Sequence, residues 1–295
     1  MKLKLTVFLF CLACEFLPAH EDPHDVIHAL THKLEDAKDV DKPKLHFQRA
    51  SEYRAIGQTL KARSDLLIYT KLKPDDYLGW LELGDLALTH LDQFLHLKNA
   101  LELAKNDGQK AKVHFALAEH FYDKQQFDKA LLHAEQTIAL DGLKQITPIL
   151  LKSHLLWRLG QLDDRIAFLS LAKKSNPSIV LENAWVDAMI EAGRVEKIEP
   201  KIAKEIADTR FKSSWLIRAA LCKPKHNVEA QANAKLAIAE IEKRFNDKRP
   251  DVTLIMDLAR AYLICGEGEK AKQFLKRAKS LPCDPWAMAE LEAKF

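Results

Sequence analysis

Residues 254–281 read LIMDLARAYLICGEGEKAKQFLKRAKSL, and the organisation of the chain follows from this stretch. Apolar residues recur at helical spacing as far as Ile264, Gly266 interrupts them, and a second helical run follows to Ala278. Glycine ends a helix at little steric cost because it enters the left-handed backbone region freely. Ala271 stands five residues after that turn, where two helices leaving it must approach closely. The stretch is a helix, a tight turn and a second helix.

The unit recurs. Arg54-Ala-Ile-Gly57-Gln, Arg158-Leu-Gly160-Gln and Glu191-Ala-Gly193-Arg repeat the turn. Gly57 and Gly160 are 103 residues apart, as are Pro74 and Pro177. That displacement is close to three periods of about 34 residues. Ala62 and Ala130 differ by 68, Gly160 and Gly193 by 33, and Gly193 and Gly266 by 73, one ordinary step plus a long one. Pro74 and Pro177 follow second helices that they cannot extend. No strand-like alternation persists after residue 20.

With these residues in place, the chain resembles the tetratricopeptide repeat (TPR) proteins, of the secreted bacterial kind. Leu78-Gly-Trp80-Leu-Glu-Leu83-Gly84-Asp matches the first-helix motif. Leu258, Ala259, Tyr262, Gly266, Ala271, Leu275 and Ala278 match a whole repeat. The resemblance implies an all-α fold: an alpha-alpha superhelix, or TPR solenoid, of about seven helix-turn-helix repeats. Residues 43–285 form the repeat domain, with repeats starting near 43, 77, 111, 146, 179, 212 and 252. Residues 20–42 are a His-rich N-terminal cap helix, reading as Asp22 to Ala37, and residues 286–295 a C-terminal capping helix. In Asp284-Pro285-Trp286 the aspartate is the expected N-cap and the proline the first helical residue. In the second repeat Leu91 replaces the turn glycine, and a slightly shortened second helix is expected. In the fifth, Pro200 implies a helix that either starts late, near Glu199, or kinks. The sixth is longer, with a turn at Lys223-Pro-Lys-His and a second helix reaching Phe245.

The resemblance also implies a concave groove lined mainly by first helices. Its positions fall on Phe47, Ser51 and Arg54, then Leu81 and Asp85, then Phe115, Glu119 and Tyr122. They continue with Leu150, His154 and Trp157, Asn183 and Asp187, and Met256 and Arg260. Aromatic rings with carboxylates between them suit an extended protein or peptide segment with apolar and basic side chains. Inter-repeat packing is the alternative role for Tyr122 and Trp157. Phe47 and Ser51 stand where some TPR domains carry a Lys and Asn carboxylate clamp, which argues against recognition of a C-terminal tail there.

His20, His24, His28 and His32 recur every four residues, so on a helix they share a face and could hold Zn or Cu. A metal-handling role with the repeats as docking surface is the alternative to a scaffold. The bland role for these histidines is a solvated face opposite a buried Ile27, Leu30 and Leu34 stripe.

Hydrophobic residues make up 47% of the 295, enough to bury a core. Forty-five Lys and Arg against 42 Asp and Glu leave a net charge of +3, with bases dispersed among acids. That is a solvated surface rather than a phosphate-tracking stripe, so no nucleic acid partner is expected. Nine glycines argue against flexible linkers and nucleotide loops. No Walker loop, nucleophile elbow or His-Glu-x-x-His stretch occurs, and no enzyme activity is expected. Gly266-Glu-Gly268-Glu-Lys-Ala271 has the spacing of a dinucleotide fingerprint but sits between helices with no preceding strand.

Lys2 and Lys4 precede the apolar run Leu5 to Ala13, too short to span a bilayer, and small residues follow. Residues 1–19 read as a secretory signal cleaved after Ala19, giving a secreted or periplasmic chain with no transmembrane segment. Cleavage before Cys14 with a lipid anchor there is the alternative, giving a membrane-anchored lipoprotein. The mature chain keeps Cys222, Cys265 and Cys283, whose spacing matches no metal module. They read as small buried hydrophobes, and an oxidising compartment would allow one pair.

Overall fold

The computed structural model describes residues 22–224, 226–281, 283 and 285–295. Among them are sixteen α-helices and no strand. The chain divides into two compact units, Met1–Ala104 and Lys105–Phe295. The expected secretory signal with Cys14 and Ala19, the first histidine His20 and the expected cap Asp284 lie outside the described residues.

The first unit contains α1 (Pro23–Asp36) and two hairpins, α2 (Lys42–Ala55) with α3 (Thr59–Leu72) and α4 (Tyr77–Asp85) with α5 (His90–Leu103). Asp22 caps α1 by accepting from the His24 amide. Ala50 and Ala62 are buried at the α2–α3 crossing, beside Leu66 and Leu83. A buried ion pair ties this hairpin to α1. Asp65 accepts from Arg49 Nε at 2.8 Å, from Arg49 Nη2 at 2.7 Å and from His46 Nδ1 at 2.8 Å. Arg49 Nη1 then donates to Thr31 of α1 at 3.0 Å. In the second hairpin the shortened helix is the first, of 9 residues, while the second keeps 14. The reason is the cap. Thr89 accepts from the Asp92 amide and starts α5 ahead of Leu91, so the connection is taken from the end of α4.

The second unit contains five hairpins. They are α6 (Asp107–Asp123) with α7 (Phe127–Asp141), α8 (Ile146–Arg158) with α9 (Leu162–Ser175), and α10 (Ile179–Glu191) with α11 (Glu199–Asp208). Then follow α12 (Ser213–Leu221) with α13 (Val228–Arg244), α14 (Val252–Ile264) with α15 (Gly268–Lys279), and the closing helix α16 (Pro285–Glu292). Helix α6 begins four residues ahead of Ala111, because Asn106 accepts from the Gln109 amide and nucleates it there. Pro200 lies in the first turn of α11, behind a 3₁₀ turn at Val195–Lys197, so this helix starts late rather than kinking.

Five of the turns, at Gly57, Gln125, Gly160, Gly193 and Gly266, share one geometry. At Gly160, φ is +71°; its amide donates to Trp157 and the next amide to Leu156, which closes the carbonyls of the outgoing helix. The third repeat has no glycine there. Gln125 adopts φ +56° instead; its amide donates to Tyr122 and the Gln126 amide to Phe121, the same pair of bonds. Five residues after and seven before these turns lie the crossing residues. They are Ala118 with Ala130 and Ala259 with Ala271, all with no exposed surface. The fifth repeat places Val186 and Ile198 there. In the fourth the two positions hold Ser153 and Arg165. From α8 to α16 hydrophobic clusters run from hairpin to hairpin, and each hairpin there completes the core of the next.

Candidate functional site

Arg165 occupies a position where three other hairpins carry alanine, and it is only 3% exposed. An arginine stem starting at a close helix crossing can leave it only along the gap between the helices. Ser153, opposite, is small enough to allow this and accepts from Arg165 Nε at 3.1 Å. The guanidinium emerges on the first-helix face. There Nη1 donates to Glu191 Oε2 at 3.1 Å, and Nη2 donates to both oxygens of Glu290 at 2.9 Å. Glu290 belongs to α16, 125 positions away.

The rest of the site builds on that carboxylate. His154, buried on α8, faces Glu290 Oε1 through Nδ1 at 3.2 Å. A carboxylate only accepts, so Nδ1 carries the proton; in the neutral ring Nε2 then accepts from Tyr122 Oη, at 3.2 Å. Burial pulls the Glu290 carboxyl up, but the His154 hydrogen bond and the Arg165 charge outweigh it and hold the group below the usual carboxylate range. Burial pushes the Tyr122 phenol up. One turn before Glu290, Trp286 is 4% exposed and sets its ring edge-on to Phe115 at 6.5 Å and to Tyr122 at 6.2 Å. Trp157 lies 5.1 Å from the His154 ring and donates to Glu191 at 2.6 Å.

Beyond this seat the face is ionic. Arg218 of α12 donates to Asp187 of α10 at 2.8 Å, and Arg260 to the buried Asp257 at 3.0 Å. Burial, the largest influence on Asp257, raises its carboxyl despite these arginines. Asp187, Glu191, Arg218, Asp257, Arg260 and Glu290 line one cavity of about 30 Å³. Residues from α6, α8, α10, α12 and α14 thus meet α16 or share a cavity with it. A helix of eight residues is only about 12 Å long. First-helix faces from five hairpins can converge on it only because this unit curves around them.

The groove positions expected from the sequence separate accordingly. Phe115, Tyr122, His154 and Trp157 come together around Trp286 and Glu290. Asp187 and Arg260 line the adjoining cavity, and Met256 is buried in one core cluster with Met288 and Leu291 of α16. Glu119 and Leu150 are partly buried on α6 and α8, and Asn183 on α10 buries a side-chain oxygen with no hydrogen-bond partner among the described residues. Phe47, Ser51, Arg54, Leu81 and Asp85 lie in the first unit. There Phe47 packs 5.0 Å from the Tyr69 ring, and Arg54 pairs with Glu82 and, at 3.6 Å, with Asp85. Arg165, Ser153 and Glu191 were absent from the expected set. The signal was available: aligned on the turn, the fourth repeat replaces the crossing alanines with a serine and an arginine.

On α1, His24 is exposed, and His28 and His32 approach through Nε2 at 3.3 Å, with Glu35 on His32 Nδ1 at 3.3 Å. No cluster of three or more metal-ligating side chains forms among the described residues. No helix among them is long and apolar enough to cross a membrane. The partly buried Cys222 thiol is pushed up by burial to about 11, and Gly266 and Gly268 sit at the α14–α15 turn.

No family model matches the chain, and no curated protein matches it. Among solved structures it is similar to a tetratricopeptide repeat protein from Parabacteroides merdae, with a TM-score of 0.58 and 14% identity over 86% of this chain and 98% of that one. It is also similar to yeast Tom70, with a TM-score of 0.57 and 16% identity over 92% of this chain and 57% of that one. At these identities the likeness concerns the fold, and the fold is that of the TPR proteins.

Proposed function

We propose that the chain is an exported scaffold that holds a segment of another protein against the first-helix face of its second unit, without catalysis. One observation carries this: aromatic and charged side chains of three hairpins, from α6, α8, α9 and α10, meet at a single seat, an ionic cavity lined also by α12 and α14 adjoins it, and the seat holds an aromatic ring and a carboxylate. Preorganised rings and a desolvated guanidinium are binding chemistry. The expectation of a basic ligand leaned on Glu119 and Asp187. Asp187 is engaged by Arg218, and the charge the seat accepts is negative.

The test is capture from the envelope fraction by the immobilised mature chain, set beside a Tyr122→Ala, Trp157→Ala variant of equal helix content. Specific proteins lost by the variant support the proposal; an identical captured set rejects it. Export rests on the basic and apolar start of the sequence, and N-terminal sequencing of the chain recovered from cells tests it.

A second reading, metal handling at α1, is favoured by one distance. Two nitrogens bound to one tetrahedral Zn at about 2.0–2.1 Å stand roughly 3.3 Å apart, the separation of the His28 and His32 Nε2 atoms. Glu35 on the far nitrogen of His32 matches the carboxylate that commonly orients a metal-bound histidine. Zn titration of the wild type against His28→Ala decides it; identical weak binding rejects the site.

A further inference from the structure

Helix α16 presents two stripes. Met288 and Leu291 cover the last hairpin, joining Ile255, Ala259 and Leu275 in one cluster. Such apolar cover is all that a closing helix requires. Trp286 and Glu290, four positions apart, form the other stripe and enter the seat made by Phe115, Tyr122, His154 and Arg165. A buried arginine in place of the crossing alanine, matched by two oxygens of one carboxylate, is recognition chemistry that end-capping does not need.

We propose that α16 is an internal occupant of the partner's seat. The partner then carries a helical segment with an aromatic residue followed four positions later by Asp or Glu, and it binds by displacing α16. This rests on the scaffold reading above and adds the ligand's chemistry and its regulation. Eight residues are too few for a helix to be stable alone, so α16 is ordered by its contacts and can be exchanged for an equivalent helix. Tethering gives it an effective concentration in the millimolar range, so the seat is closed until a competitor arrives. A ligand's apparent affinity falls by the fraction of chains that are open.

The probe is a labelled peptide of residues 285–295, followed by fluorescence anisotropy with the full mature chain. A Trp286→Ala, Glu290→Gln chain, released at the seat but keeping Met288 and Leu291, is expected to bind the peptide at least tenfold tighter than the wild type. Peptides with Ala at the Trp286 position or Gln at the Glu290 position lose about tenfold on that same chain. In the wild type, saturating peptide speeds amide exchange of α16 and the Gln peptide does not; this decides the matter if the released chain does not fold. Equal peptide affinity for both chains, or α16 exchange indifferent to the peptide, overturns the proposal. So does a concentration-dependent wild-type dimer, which would assign the seat to a second copy. If the peptide fails while envelope capture still depends on Tyr122 and Trp157, the seat stands and α16 is only a cap. If both fail, the scaffold reading falls as well.

Discussion

Arg165→Ala is a substitution whose outcome separates two accounts of the second unit. Alanine is what three other hairpins carry at this crossing, so the variant restores the regular hairpin while removing the guanidinium. It deletes the donors to Ser153, Glu191 and Glu290. Removing one partner of a buried ion pair costs about 3–5 kcal/mol, because a desolvated charge is left behind. Here the carboxylate side chains are 25% and 30% exposed, and each keeps a second donor, His154 for Glu290 and Trp157 for Glu191. Water and those donors reduce the expected loss to about 2–3 kcal/mol. Urea unfolding followed by circular dichroism measures it, and a cycle with Glu290→Gln isolates the pair. Coupling of about 1–2 kcal/mol is expected between contacting, charged groups. The pH dependence carries the same sign. The folded Glu290 group titrates below its unfolded value, near 4.3, so its stabilisation is complete above that pH. It is lost as pH falls through the folded value, and Arg165→Ala should flatten that acid limb. A loss under about 0.5 kcal/mol, or additive single mutants, would mean that the regular crossing outweighs the ion network. The seat would then be incidental.

Three further outcomes follow from particular residues. A Cβ on Gly84 would lie 2.7 Å from the side chain of the buried Leu97, so Gly84→Ala should destabilise the first unit by about 1–3 kcal/mol in thermal or urea melts, despite alanine's better helix propensity. Gln125→Gly should stabilise the second unit by about 0.5–1 kcal/mol, since it relieves a left-handed non-glycine residue; an unchanged midpoint would contradict the turn assignment. His114 and His133 meet through Nδ1 at 2.9 Å, and burial, followed by the neighbouring imidazoles, lowers His133 to about 4. Its neutral form stabilises the fold fully above the unfolded value near 6.5, and that stability is lost as pH falls toward the folded value, by about 1–2 kcal/mol after allowance for partial exposure. His133→Gln should reduce this acid sensitivity, leaving the part due to His114, which burial also lowers, and a chemical-denaturation series between pH 4 and pH 7 would show it.

The hairpin fold was legible because its requirements are local. A turn of this kind needs a residue tolerant of positive φ, and a close crossing needs small side chains; both recur along the chain as Gly57, Gly160, Gly193 and Gly266, and as Ala62, Ala130 and Ala271. Departures were legible only in part. Pro200 announced either a late helix start or a kink and the structure has the late start, whereas the shortening in the second repeat fell on the other helix because Thr89 competes as a cap. The groove was harder. Family positions led to Phe115, Tyr122, His154 and Trp157, but a first-helix template has no place for Arg165, which reaches the groove from a second helix.

Repetition at a fixed period therefore determined, without coordinates, that this chain is a row of helical hairpins, since each turn and each crossing depends on residues a few positions away. Only the tertiary structure decided that Glu290 meets His154 across 136 positions. That meeting depends on the curvature accumulated from one hairpin to the next, and small rotations at each packed interface sum into a geometry that no single stretch of sequence encodes.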